Sequence, residues 1–247
     1  MTIWEQARST LAMGTVALDT LVFAPSAIAA ALALGPTHPL VSRFYRDFAR
    51  VALAGCGARV RSRGEPGLDA RERYVFVSNH SSQLDALAIL VSLPRHGLRF
   101  VAKDELGRVP LFGAALRATG NVFVARSDTQ RDVQALDAAR DELLSHISVL
   151  FFAEGHRSET GALGPFKKGA AVFALKTGLP LVPVGVHGAF EIHSRGYAVK
   201  AGGTIGVSIG APIEVKGRAV EERDAVTQEL RHAVIEQINR ARELAPR

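Results

Sequence analysis

Residues 74–85 read Tyr-Val-Phe-Val-Ser-Asn-His-Ser-Ser-Gln-Leu-Asp, a short apolar run followed by a polar turn. The apolar run is typical of a buried strand, and the two serines are good N-cap residues for a following helix that Pro94 should end. On one regular helix, His80 and Asp85 would point about 140° apart, so they meet only if His80 lies in the loop before the helix. The stretch therefore predicts a strand, a loop and a helix, with a histidine and a carboxylate in contact at the turn.

This contact would prepare a histidine for proton transfer. Asp85 would accept a hydrogen bond from one imidazole nitrogen of His80, which fixes the tautomer and leaves the other nitrogen free to take a proton. We interpret His80 as a candidate general base and Asp85 as the acid that orients it. The pair alone is a weak indication, because a His and an Asp five residues apart occur by chance in many chains.

Short apolar runs alternate with helical segments from residue 72 onward. Strands are predicted at Tyr74–Ser78, Leu98–Ala102, Asn121–Ala125, Val149–Ala153, Leu181–Val186 and Thr204–Ile209. Helices are predicted at Leu84–Leu93, Leu111–Ala118, Thr129–Ser145, Lys168–Thr177 and about Arg218–Leu244. This alternation predicts an α/β fold with a mostly parallel, mixed sheet flanked by helices. Active sites of such sheets gather at the carboxyl ends of strands, where His80 and Glu154 both fall.

Three further motifs follow the first. Residues 120–126 read Gly-Asn-Val-Phe-Val-Ala-Arg and are preceded by Lys-Asp-Glu-Leu at 103–106 and Pro-Leu-Phe-Gly at 110–113. Residues 152–158 read Phe-Ala-Glu-Gly-His-Arg-Ser, and residues 181–186 read Leu-Val-Pro-Val-Gly-Val. With the histidine, four residues and aspartate of the first motif, these blocks resemble the lysophosphatidic acid acyltransferase family of glycerolipid acyltransferases. The resemblance spans about residues 72–212, and four ordered blocks are far more specific than one.

The resemblance implies transfer of a fatty acyl group from acyl-CoA or acyl-[acyl carrier protein] to the free hydroxyl of a lysophospholipid. The family default is lysophosphatidic acid, which gives phosphatidic acid. His80 would be the general base, oriented by Asp85, with direct transfer and no bound cofactor. Backbone N–H groups around the first motif, or Lys103, would donate to the oxyanion. The acceptor would be bound by residues of the second and third blocks: Arg126, Glu154, Gly155 and Arg157.

Two positions depart from the family pattern. Ala125 stands where the family usually has an acidic residue, and His156 replaces a threonine. Both lie in blocks that the family uses for the acceptor, so the acceptor stays open and includes other lysolipids such as lyso-ornithine lipid. A thioester hydrolase and a non-catalytic membrane-binding module are the alternatives from other classes.

Composition narrows the classes of molecule that this protein is expected to bind. The net charge of +6 favours anionic partners, while 6% aromatic residues and no stacking motif argue against nucleic acid. The single cysteine, Cys56, lies in an apolar stretch outside the motifs, which indicates a core residue rather than a nucleophile. The histidine spacings match no helical zinc pair, so we predict no metal site.

The N-terminal segment is nearly all apolar from residue 11 to residue 34, which is long enough to cross a bilayer. Asp19 inside it would cost about 2.5–3.5 kcal/mol at the bilayer centre, and Glu5 argues against a signal peptide. We interpret the segment as a shallow or re-entrant membrane helix. The alternative is an alanine-rich helix buried against the protein.

The next segment, from Pro39 to Val60, places apolar residues on one side of a predicted helix and basic residues on the other. A basic amphipathic helix after an apolar one is typical of an interfacial anchor. The expected organisation is therefore a membrane-associating helical pair over residues 1–65 and an acyltransferase α/β domain over residues 66–247. The expected location is the cytoplasmic face of the inner membrane.

Overall fold

A computed structural model describes residues 3–125, 134, 147–194, 198–200 and 202–246 of the 247-residue chain. The helix expected at Thr129–Ser145 lies outside the described residues, apart from residue 134, which is helical.

The described elements alternate as the sequence predicts. The helices are α1 Ile3–Leu34, α2 Pro39–Gly55, α3 Gln83–Ser92, α4 Phe112–Ala118, α5 Gly169–Thr177, α6 Ala189–Ile192 and α7 Arg223–Leu244. The strands are β1 Ala58–Arg63, β2 Val75–Ser78, β3 Leu98–Lys103, β4 Val122–Val124, β5 Ser148–Phe152, β6 Leu181–His187 and β7 Gly203–Ile209. Short 3-10 turns lie at Glu65–Gly67, Asp104–Arg108 and Val220–Glu222.

The strands form one mixed sheet in the order β1-β7-β6-β2-β5-β3-β4. Only the β6–β7 pair is antiparallel among the described pairs, which confirms the predicted mostly parallel sheet. The buried strand β2 lies between β5 and β6, with Ser78 level with Phe152 and Val184. The chain segments that leave β2 and β5 therefore enter the same edge of the sheet.

Two apolar layers cover this sheet. Phe76 of β2 points to the face covered by α3, where it joins Ile89, Leu150 and others. Its neighbours Val75 and Val77 point to the opposite face and join Phe173 of α5 and Leu230 of α7. Burial on both faces explains why β2 is a continuous apolar run rather than an alternating one.

The predicted helix from Pro39 to Val60 is too long. Helix α2 ends at Gly55, Gly57 adopts a left-handed φ of 66°, and Ala58–Arg63 forms β1 at the edge of the sheet. The missed signal is a period of two, because exposed arginines alternate with Ala58 and Val60, which pack on the core. The sheet thus begins before residue 65, and the domain division at that residue stays a prediction.

Helix α1 packs along α2 and reaches α4. Its segment Gln6–Leu34 is long and apolar enough to cross a membrane. Leu11, Leu18 and Leu21 are more than 60% exposed on its outer face, whereas Asp19 is only 4% exposed. The carboxylate that weighed against membrane insertion therefore lies against the protein, while the outer face is apolar.

Candidate active site

The loop after β2 has the predicted geometry. Ser82 is the N-cap of α3, with an extended backbone, and its hydroxyl accepts a hydrogen bond from Leu84 N–H. Asp85 is the third residue of the helix, and its carboxylate returns to the backbone of the cap, so the pair forms a capping box. His80 lies in the loop before the helix. The sequence therefore folds the histidine and the carboxylate onto each other through ordinary helix capping.

His80 and Asp85 are in contact. The Nδ1 atom of His80 lies 3.1 Å from Oδ2 of Asp85, which also accepts N–H bonds from Ser81 at 2.6 Å and Ser82 at 2.7 Å. Because the carboxylate oxygen accepts in the two backbone bonds, we assign the proton of the third bond to Nδ1. The arrangement leaves Nε2 as the proton-accepting nitrogen.

A fully buried carboxylate holds this arrangement. The Asp85 side chain has no exposed surface, whereas 15% of the His80 side chain is exposed. The carboxylate sits in the first turn of α3, where the helix dipole favours negative charge. The Asp85 carboxylate is therefore shielded from solvent, while part of the His80 ring is exposed.

The His80 ring is also held on its face. The Phe152 ring stacks against it, with the ring centroids 3.8 Å apart and an angle of 14° between the planes. Phe152 ends β5, directly beside Ser78 of β2. We had not identified Phe152 from the sequence, although its place at the end of a strand just before Glu154 was an available signal.

Glu154 connects the first and third motifs. Its side chain is buried, Oε1 accepts the backbone N–H of His80 at 2.9 Å, and Oε2 accepts that of Gly164 at 2.8 Å. Ser158 N–H donates to the carbonyl of His80 at 2.8 Å. The predicted contact of Glu154 with the acceptor stays a prediction, and these bonds show a carboxylate that holds the backbone of His80.

Asn79 fastens the same loop to the other neighbouring strand. Its amide nitrogen donates to the carbonyl of Val186 at 3.0 Å, and its amide oxygen accepts the N–H of Val186 at 2.9 Å. The Asn79 side chain thus makes the two hydrogen bonds with Val186 that the backbone of a paired strand would make, just beyond the end of β2. The loop that carries His80 is consequently bonded to the segment after β5 on one side and to β6 on the other.

The remaining predicted site residues differ in their burial and in their contacts. Arg157 is half-buried, and its Nη1 is buried without a hydrogen-bond partner in the described part of the chain. Gly155 adopts a left-handed φ of 74°, and a Cβ built there would lie 3.4 Å from Lys167. Lys103 is half-exposed at the end of β3 and pairs with Glu105 at 2.9 Å. Arg126 lies outside the described residues.

The backbone donors suggested for the oxyanion are already engaged. The N–H of His80 donates to Glu154, and those of Ser81 and Ser82 donate to Asp85. Stabilisation of an oxyanion by these three groups would require breaking bonds that hold the loop. The Arg157 guanidinium is a donor in the third motif with an unused buried nitrogen.

The structure also places the other groups considered from the sequence. Burial raises the pKa of the Cys56 thiol, which belongs to the core beneath α2. Within the residues that the structure describes, no three His, Cys, Asp or Glu side chains are grouped to hold a metal ion. His156, at the position of the family's threonine, contacts the carbonyl of Glu154 through Nδ1 at 3.0 Å.

Comparisons with known proteins agree with the four blocks. The family model described as Acyltransferase matches residues 59–187. A chloroplastic 1-acyl-sn-glycerol-3-phosphate acyltransferase of Brassica napus is 36% identical over 166 residues, which are 67% of this chain and 46% of that protein. The 1-acyl-sn-glycerol-3-phosphate acyltransferase of Saccharomyces cerevisiae is 30% identical over 194 residues, which are 77% of this chain and 63% of that protein.

The fold has a counterpart among solved structures. The crystal structure of the 1-acyl-sn-glycerophosphate (LPA) acyltransferase PlsC from Thermotoga maritima aligns with a TM-score of 0.80 over 96% of both chains, at 24% identity. This likeness concerns the fold. The chain spans 46% and 63% of the length of the Brassica and yeast relatives.

The two bonds of Glu154 give a prediction. Replacing it by Gln turns one acceptor oxygen into an amide donor, so one of the N–H groups of His80 and Gly164 loses its partner in a buried place. We expect the Glu154→Gln variant to lose about 1–3 kcal/mol in the free energy of unfolding, measured with urea. Glu221→Gln, at an exposed position, is the matched control. Equal stabilities of the two variants would contradict the role given to Glu154.

Proposed function

Because the chain belongs to the Acyltransferase family, we propose that it transfers a fatty acyl group from an acyl thioester to the free hydroxyl of a lysophospholipid. Membership confirms the resemblance found in the four blocks. The observation that carries the proposal is the bond between His80 Nδ1 and the buried carboxylate of Asp85, which leaves Nε2 free to act as a base.

In the first step, the acceptor hydroxyl attacks the carbonyl carbon of the thioester. A hydroxyl is a weak nucleophile at neutral pH, so Nε2 of His80 takes its proton as the new carbon–oxygen bond forms. The imidazolium keeps its Nδ1–H bond to Asp85, whose negative charge stabilises the positive ring. The product of this step is a tetrahedral intermediate with an oxyanion.

In the second step, the oxyanion returns its electrons to the carbonyl and the carbon–sulfur bond breaks. The thiolate leaves, and the proton held on Nε2 passes to its sulfur, which restores the neutral histidine. The products are an ester and a free thiol, with no acyl-enzyme intermediate. Acyl-CoA and acyl-[acyl carrier protein] both supply such a thioester, and either is a co-substrate rather than a resident cofactor.

The proposed acceptor carries a phosphate. The relatives from Brassica and yeast are named for 1-acyl-sn-glycerol-3-phosphate, which makes lysophosphatidic acid the first candidate and phosphatidic acid the product. Support from this chain comes from Arg157, whose buried Nη1 has no partner among the described residues. A guanidinium pairs with two phosphate oxygens at once, and a phosphate there would satisfy that nitrogen. Arg126 belongs to the proposed acceptor site by resemblance.

We also propose that α1 and α2 associate with a membrane, as a lipid acceptor requires. The outer face of α1 carries five large apolar side chains more than half exposed between residues 11 and 32: Leu11, Leu18, Leu21, Val22 and Leu32. On α2, Arg43 and Arg50 are exposed, where anionic head groups attract basic side chains. The cytoplasmic face of the inner membrane is the proposed location.

The function is tested by supplying purified protein with acyl-CoA or acyl carrier protein thioester, with and without a panel of lysolipids. We expect consumption of the thioester to depend on the acceptor and to be fastest with lysophosphatidic acid. Removal of a general base typically slows such a reaction by about 10²–10⁴-fold, so His80→Ala should nearly abolish transfer without unfolding the protein. His232→Ala, exposed on α7, is the control that keeps full activity.

The same assay separates the alternatives. Thioester consumption that ignores every acceptor indicates a hydrolase, and no consumption with either donor indicates a non-catalytic module. A preference for an acceptor without phosphate, such as lyso-ornithine lipid, would refute the role proposed for Arg157. Full activity of His80→Ala would refute the mechanism.

Membrane association is tested by flotation with vesicles of phosphatidylethanolamine and phosphatidylglycerol. The double variant Leu18→Glu/Leu21→Glu should bind at least about tenfold more weakly, because burial of each leucine contributes about 1.5–3 kcal/mol. Gln228→Glu/His232→Glu adds the same two carboxylates to exposed positions of α7 and should bind like the wild type. Wild-type binding by the α1 variant would contradict the proposed membrane face.

A further inference from the structure

A polar cleft opens at one edge of the sheet, and His80 lies at the opposite edge. It has a volume of about 330 Å³ and lies where the chain enters β2, β3 and β5. Its walls are the beginning of α2 and the segments before those strands, at residues 70–73, 94–97 and 147–148. The base lies past the carboxyl end of β2, so the length of the strand separates this cleft from the acyl-transfer chemistry.

The cleft is strongly basic. Four guanidinium groups line it, and Glu72 is the acidic side chain among its described lining residues; the basic ones are Arg46, Arg71, Arg73 and Arg95. Arg95 also pairs with Glu65, which is not a lining residue, with 2.9 Å between Nε and Oε1. Four guanidinium groups and one carboxylate among the described lining residues favour an anionic ligand.

The beginning of α2 adds to this field. Pro39, Ser42 and Arg46 line the cleft and are spaced three and four residues apart, so they lie on one side of the helix. The first turn carries no acidic residue. The positive end of the helix dipole and the Arg46 guanidinium therefore face the same space.

The side chains of Arg46 and His96, which both line the cleft, differ in their burial and partners. Arg46 is half-buried, and the adjacent Asp47 pairs with Arg43 and Arg50 instead. Burial, and then the charge of Arg50, lower the pKa of Arg46. His96 is 4% exposed, and its Nε2 has no hydrogen-bond partner in the described part of the chain, with Glu65 Oε1 3.9 Å away.

We propose that this cleft binds a phosphate group, held by Arg46 in the second turn of α2 and by Arg71 in the segment before β2. Guanidinium groups bind phosphate oxygens in pairs. The first N–H groups of α2 are bonded to His38, so the helix adds only the positive potential of its dipole. The phosphate belongs either to a lipid head group, since α2 follows the apolar α1, or to a soluble phosphate compound. The site is separate from the acceptor site of the proposed transfer reaction.

The test is a calorimetric titration of the full chain with inorganic phosphate, at ionic strength fixed with chloride. The wild type should bind phosphate, and Arg46→Gln/Arg71→Gln should bind it at least tenfold more weakly. Arg59→Gln/Arg61→Gln removes the same charge from exposed positions of β1 and should stay within twofold of the wild type. Arg157→Ala, which alters the proposed acceptor site, should retain this binding.

The source of the phosphate is distinguished with phosphatidylcholine vesicles that contain or lack phosphatidic acid. If the cleft variant loses the extra binding that phosphatidic acid confers, the ligand is a lipid head group. If it loses only inorganic phosphate, the ligand is soluble. Absence of phosphate binding, equal weakening in both double variants, or loss in Arg157→Ala alone would overturn the proposal, and none of these outcomes depends on acyl transfer.

Discussion

One buried carboxylate oxygen organises the loop that carries the proposed base, His80. Oδ2 of Asp85 accepts hydrogen bonds from the His80 ring and from two backbone N–H groups of the loop between them. These bonds cap α3, shape the loop and fix the imidazole at the same time. Because the carboxylate is fully buried, breaking this arrangement would leave an uncompensated charge in the interior, at a cost of several kcal/mol. The same hydrogen bonds therefore fold the loop and orient the His80 ring.

The sheet transmits this constraint to the rest of the site. Strand β2 lies between β5 and β6, and the loop that follows it is bonded to both, through Glu154 on one side and Asn79 on the other. The stacking of Phe152 depends on the parallel register that places it beside Ser78. The His80 ring is held at Nδ1 and on one face, and its backbone is bonded as well. It therefore loses little conformational freedom when a substrate binds, which is the benefit of a preorganised site.

The sequence predicted the structural features that depend on short-range patterns of residues. The strands from β2 to β7 occur within one residue of their expected ends, and the turn that joins His80 to Asp85 follows from N-cap preferences and helix periodicity. The edge strand β1 was missed, because its arginines resemble a basic helix face until its pairing with β7 is known. The contacts of Glu154 and Phe152 with His80 join residues more than 70 positions apart, so no local pattern contains them. The cleft beside α2 likewise arises only when four separate segments meet.

We infer that Asp85 sets the tautomer of His80, and nitrogen NMR of histidine-labelled protein measures that tautomer. When the ring is neutral, the spectrum should show a proton on Nδ1 of His80 and none on Nε2. In Asp85→Asn, this preference should be lost. A neutral wild-type ring protonated at Nε2, or an unchanged Nδ1–H tautomer in Asp85→Asn, would show that Asp85 does not set the tautomer.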